Sequence, residues 1–89
     1  MTSGAEREFI ARTIYHHTKK TGEYVTLLVY KDSFGTYELR DDREAGHDFL
    51  SGTEDYIFEE WGNRNRQLIE DGFQRDNLMG YNKWQQFIS

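Results

Sequence analysis

Tyr24-Val25-Thr26-Leu27-Leu28-Val29-Tyr30 is the stretch that decides the fold. Val25, Leu27 and Val29 alternate with Tyr24, Leu28 and Tyr30, so a strand here is apolar on both faces and belongs in the middle of a sheet. On its N-terminal side stands Lys19-Lys20-Thr21-Gly22, with a glycine placed for a hairpin bulge. On its C-terminal side, Asp32-Ser33-Phe34-Gly35 has the same turn chemistry. Beyond the first turn, Phe9 to His17 is rich in Ile, Thr, Tyr and Phe and reads as a strand. Beyond the second, Tyr37 and Leu39 alternate with Thr36, Glu38 and Arg40, a half-exposed strand. A β-meander over about residues 8–40 follows. A competing reading uses the capping-box spacing of Ser3 and Glu6, which suits a helix over residues 4–20 with Phe9, Ile10 and Ile14 on its apolar side. The β-branched content favours the strand.

The second half changes period. Ser51 or Thr53 is placed to cap a helix whose first turn holds Glu54 and Asp55, where the helix dipole favours acids. Ile57, Phe58, Trp61, Leu68, Ile69 and Phe73 share one arc, and Asp55, Glu59, Glu60, Arg64, Arg66, Glu70 and Asp71 the other. That phase predicts a long helix over about 53–72. Leu78, Tyr81, Trp84 and Ile88 predict a shorter one over about 77–88. The expected architecture is α+β in one domain spanning 1–89. It is a three-stranded antiparallel sheet, an acidic connection over 41–52, and two helices packed on one face.

The chain has 89 residues with 16 acids, 11 Lys and Arg, a charge of −5, no Cys and no Pro. The lack of Cys excludes disulfides, thiolate nucleophiles and sulfur-ligated zinc, and it suits a reducing compartment. No apolar run approaches the ~20 residues of a membrane helix, and the first eight residues lack the apolar core of a signal peptide. A cytoplasmic protein with no membrane contact is expected. His16 and His17 are adjacent and point apart on a strand, His47 lies in a probable loop, and no Ser sits in an elbow motif. The expectation is therefore no enzyme, no metal and no cofactor. Fourteen aromatic residues exceed the 13 Ile, Leu and Val, so some rings lie partly in solvent, where they suit an interface.

Charge is unevenly placed. Residues 1–22 carry net +2, whereas 41–62 hold eight acids against Arg43 alone, net −7. Within that segment Asp41, Asp42, Glu44 and Asp48 have no basic neighbour except Arg43. Asp55 and Glu59 form a like-charge i,i+4 pair, which costs a few tenths of a kcal/mol. Two further pairs, Glu60 with Arg64 and Arg66 with Glu70, have the spacing to neutralise each other. The candidate partner-binding residues are Asp41, Asp42, Glu44, Asp48, Asp55, Tyr56, Glu59, Glu60 and Tyr37. A carboxylate row on a helix presents charge somewhat as phosphates do, and it fits a Lys/Arg-rich groove.

Arg40-Asp41-Asp42-Arg43-Glu44 and Thr53-Glu54-Asp55-Tyr56-Ile57-Phe58-Glu59-Glu60 carry a likeness of type. In overall character the chain resembles the small acidic phage-encoded inhibitors of host defence, the anti-CRISPR and anti-restriction proteins. The resemblance implies a protein partner with a basic nucleic-acid-binding groove, such as a CRISPR effector complex or a nuclease, in the host cytoplasm. It implies no direct nucleic-acid contact. An immunity protein or antitoxin against a basic nuclease toxin uses the same physics. A different class is a nucleic-acid-binding β-sheet domain using Arg7, Arg12, Lys19, Lys20 and the Tyr24/Tyr30 face. Another is a homo-oligomer that buries its surplus aromatics between protomers, so monomer and homodimer both remain open.

Overall fold

A computed structural model describes residues 6–43 and 49–86. Its elements, in chain order, are β1 (Arg7–His17), β2 (Tyr24–Asp32), β3 (Tyr37–Asp41), β4 (Phe49–Gly52), α1 (Glu54–Glu70), β5 (Phe73–Gly80) and α2 (Asn82–Gln86). The strands form one antiparallel sheet in the order β4-β3-β2-β1-β5. The doubly apolar stretch is β2, and it is the middle strand. Residues 7–17 form a strand, not a helix.

Alternation along each strand sends one set of side chains to the core. Ala11, Thr13 and Tyr15 of β1, Val25, Leu27 and Val29 of β2, and Leu39 of β3 are buried. Ile57, Trp61 and Leu68 of α1 and Trp84 of α2 cover them. Thr53 caps α1 by accepting from the Tyr56 N–H at 3.2 Å. Trp84 is the hub that joins the two helices. Its ring is edge-on to Phe58 at 4.9 Å and Trp61 at 6.0 Å, and it stacks on Tyr37 at 5.9 Å. The Trp61 Nε1–H donates to the Trp84 carbonyl at 3.0 Å.

The meander and the long helix match expectation, but three parts of the layout do not. The sheet has five strands, not three. Within the acidic connection, Phe49–Gly52 is a strand that pairs with β3, Leu39 opposite Leu50. Four residues are too few to show a period, but the bare edge of β3 supplies the missing hydrogen bonds. The helix expected over 77–88 gives up its first four residues, 77–80, to a strand. Gly72, at φ 97°, turns the chain back after α1, and β5 takes the free edge of β1 from His17↔Phe73 to Ala11↔Gly80. Among the described residues the helix spans Asn82–Gln86, with Trp84 buried and Tyr81 exposed. Ile88 and Ser3 lie outside the described residues. Ile69, assigned to the apolar arc, is 49% exposed, and Phe73 belongs to β5.

One polar chain runs through this core. The buried Tyr15 hydroxyl donates to Asn65 Oδ1, and Asn65 Nδ2 donates to the Trp61 carbonyl at 2.8 Å. Burial pushes the Tyr15 phenol up, and the Arg75 charge partly offsets it. Tyr15→Phe strips Asn65 of that donor in a dry site, so a loss of about 1–3 kcal/mol is expected from urea unfolding. An unchanged midpoint would show that the hydroxyl is not a structural partner.

Candidate functional site

The fold scatters the acids of residues 41–62. Asp41 ends β3 on the helix-covered side and is 4% exposed. Arg43 grips its carboxylate at 2.6 Å, and Arg64 reaches it from α1 at 3.1 Å. The Arg43 backbone N–H donates to it as well, at 3.0 Å. Burial works to raise the Asp41 pKa, but these hydrogen bonds and the two guanidinium charges outweigh it and hold the carboxyl below its ordinary value. Its charge is internal and is not offered to a partner. Asp42 is exposed, yet its Oδ1 accepts from the Thr26 N–H at 3.0 Å and so extends the β2–β3 edge. Glu44 and Asp48 lie outside the described residues.

The helical acids are arranged differently. Glu54 pairs with Lys83 of α2 at 3.3 Å. Asp55 and Glu59 are exposed one turn apart, and neither enters an ion pair among the described residues. With Phe58, Gly62 and Arg66 they line a shallow depression of about 410 Å³. Glu60 is half-buried beside them. Among the described residues neither of the two neutralising pairs expected from spacing is seen: Arg64 reaches Asp41, and Arg66 binds Asn63 Oδ1 at 2.5 Å. Tyr56 is 43% exposed, and its ring covers Gly52 so closely that a Cβ there would lie 2.9 Å from it. Asp55, Tyr56, Glu59 and Glu60 therefore form one patch, since residues three and four apart on a helix are neighbours.

Tyr37 does not join them. It starts β3, at the opposite end from Asp41, and lines a second depression of about 270 Å³ with Glu8, Lys31, Glu54, Tyr81 and Lys83. Lys31 Nζ lies 5.8 Å from its ring centroid. Burial, then the charges of Glu54 and Glu8, raise the Tyr37 phenol. Across the depression the Tyr81 hydroxyl donates to Glu8 Oε2, and that bond raises the Tyr81 phenol. Every ionisable group in this pocket has an internal partner, so it reads as a clasp between β1, β3 and α2.

Among the described residues, no group of three or more His, Asp or Glu is placed to hold a metal ion. Nor, among the described residues, is any helix long and apolar enough to cross a membrane. The sheet face turned away from the helices carries Arg12, Leu28, Tyr30, Arg40, Phe49 and Met79. Charge counting passes over most of these, although the second apolar side of β2 was a visible signal of that face. Compared with known proteins, the chain matches no family model, no curated protein and no solved structure.

Proposed function

We propose that the chain is a non-enzymatic inhibitor of a nucleic-acid-handling complex or nuclease, of the anti-CRISPR type, acting in the host cytoplasm. Its contact surface on this reading is the outer side of the first turns of α1, formed by Asp55, Tyr56, Glu59 and Glu60. The observation that carries the reading is the exposed Asp55–Glu59 pair, neither member of which enters an ion pair among the described residues. Two carboxylates one turn apart repel each other in the free protein, and a Lys/Arg-rich groove relieves that repulsion. Tyr56 between them supplies a ring for short-range packing. Asp41 contributes only by holding α1 to β3 through Arg64.

The test is capture of basic nuclease or effector partners, repeated at ~0.1 and ~0.5 M salt. Asp55→Lys with Glu59→Lys is expected to weaken association at least ~100-fold, mostly in the association rate. Unfolding should shift by no more than about 1–2 kcal/mol, because both residues are exposed and the main loss is that of Asp55 from the first helical turn. Binding that tolerates both the reversal and the salt would remove this surface from the contact.

A further inference from the structure

The open face of the sheet has an order that charge counting along the chain does not reveal. The strand register places Phe49, Arg40, Leu28, Arg12 and Met79 side by side, one from each strand. Their sequence neighbours Leu50, Leu39, Leu27, Val29, Ala11, Thr13 and Leu78 turn toward the helices, so all five point the other way. The row crosses the sheet as ring, cation, aliphatic chain, cation, thioether. Flanking rows add Phe9 edge-on to Tyr30 at 6.4 Å, then Ile14 opposite Thr26. Tyr24 lies opposite His16 at the end toward the β1–β2 turn. Phe49 and Phe9 are each 40% exposed, Met79 45% and Tyr24 61%.

Both central arginines lie along the sheet. Arg40 Cζ is 5.0 Å from the Phe49 ring centroid. Arg12 reaches to Met79 Sδ at 2.8 Å and Asn77 Oδ1 at 3.3 Å. Neither is saturated, since each leaves its Nε–H shielded and without an acceptor. Arg12 enters no ion pair among the described residues. The acids on this face are already engaged. Glu38, 8% exposed, lies between Arg7 and Arg40 at 3.5 Å from each, and Asp76 holds His16 at 2.6 Å. Lys19 and Lys20 stand exposed in the turn beyond Tyr24.

We infer that this face binds single-stranded nucleic acid, lying across the strands along the Phe49–Met79 row. Arg12 and Arg40 sit two strand spacings apart, roughly 10 Å, with Leu28 between them. They meet phosphates, while Phe49, Tyr30, Phe9 and the guanidinium planes offer surfaces on which bases stack. An acidic polypeptide would satisfy the two cations but leave the rings without flat partners. A second copy docked face to face through this same surface would meet Arg12 with Glu38 and Asp76, both already engaged. A single strand is narrow enough to stay on this side of the sheet, away from Asp55 and Glu59 on the helical side. This surface is separate from the one proposed for the protein partner, and the two are tested apart.

The experiment is fluorescence anisotropy of the full chain with a labelled ~12-nucleotide single strand, as RNA and as DNA, alongside the matching duplex. Binding to at least one single strand is expected, weakening about tenfold from ~50 to ~200 mM salt as two or three counterions return. Arg12→Gln with Arg40→Gln should weaken it at least ~10-fold. Arg12→Gln alone breaks no ion pair and should still cost ~3-fold or more, which keeps the test valid if loss of Arg40 disturbs Glu38. Asp55→Lys with Glu59→Lys should leave oligonucleotide binding intact or tighten it. Conversely, the arginine variants should leave capture of a protein partner unchanged. The inference is overturned by no anisotropy change up to ~100 μM protein at ~50 mM salt, by equal affinity for the duplex, or by indifference to Arg12→Gln. A dimer in sedimentation that Leu28→Glu abolishes would also overturn it, by giving the face to a second copy.

Discussion

Gly80→Ala is expected to be among the most damaging single changes in this chain, at about 3–5 kcal/mol. Gly80 ends β5 opposite Ala11, at φ 140°. A Cβ built there would lie 2.4 Å from the Ile10 carbonyl oxygen, 2.7 Å from Ala11 Cα and 2.9 Å from Ala11 Cβ. Two of those atoms are backbone of a paired strand and cannot swing aside as a side-chain tip does. The neighbourhood is also tied down, because the Tyr81 N–H donates to the same Ile10 carbonyl at 3.1 Å. Relief must come from moving β5 or β1, and Ile10, Ala11 and Trp84 all belong to the core there. Net stability for 89 residues is on the order of 4–13 kcal/mol, so the variant sits near the folding threshold. Denaturant unfolding measures it, and a loss below ~1 kcal/mol would mean that the strands separate there at little cost.

Asp41→Asn is expected to cost about 2–3 kcal/mol at neutral pH. Removing one member of a buried ion pair costs roughly 3–5 kcal/mol. The Arg43 and Arg64 side chains keep 40% and 22% of their exposure, so water screens them and the lower figure applies. The sign of the pH dependence follows from the depressed Asp41 pKa. A carboxylate held below its unfolded value stabilises the fold fully above the unfolded pKa, and the gain fades as pH falls through the folded one. The difference between wild type and Asp41→Asn should therefore be constant at neutral pH and shrink from the ordinary value of 3.8 downward. A gap that stays constant into strong acid would assign the loss to packing rather than charge.

The doubly apolar β2 and the period of α1 were legible in the sequence because each is long enough to show its pattern many times. The edge strands were not. Phe49–Gly52 has two apolar residues in four, and Phe73–Gly80 reads Phe-Gln-Arg-Asp-Asn-Leu-Met-Gly, with no β-branched residue. Both are strands because β3 and β1 leave edges that need hydrogen bonds, a tertiary demand that local propensity does not record. For the acids, counting located the block but treated every carboxylate alike. Asp41 differs from Asp55 through burial and two guanidinium partners, and one of these, Arg64, lies 23 positions away. The open-face row is hidden more deeply, since five residues on five strands become neighbours only once the register is known.

The pairing of β1 with β5 has a consequence for how the chain is made. Ala11 meets Gly80, so β1 finds its second partner only after β2, β3, β4 and α1 have passed. Such distant closure slows folding relative to local pairing. During synthesis the β1–β2–β3 meander emerges first, with one side of β1 bare until β5 arrives. That bare strand is a template for pairing with another nascent chain. A ribosome that stalls after α1 would leave it uncovered, so steady translation through the β5 codons guards the chain against joining its own neighbours.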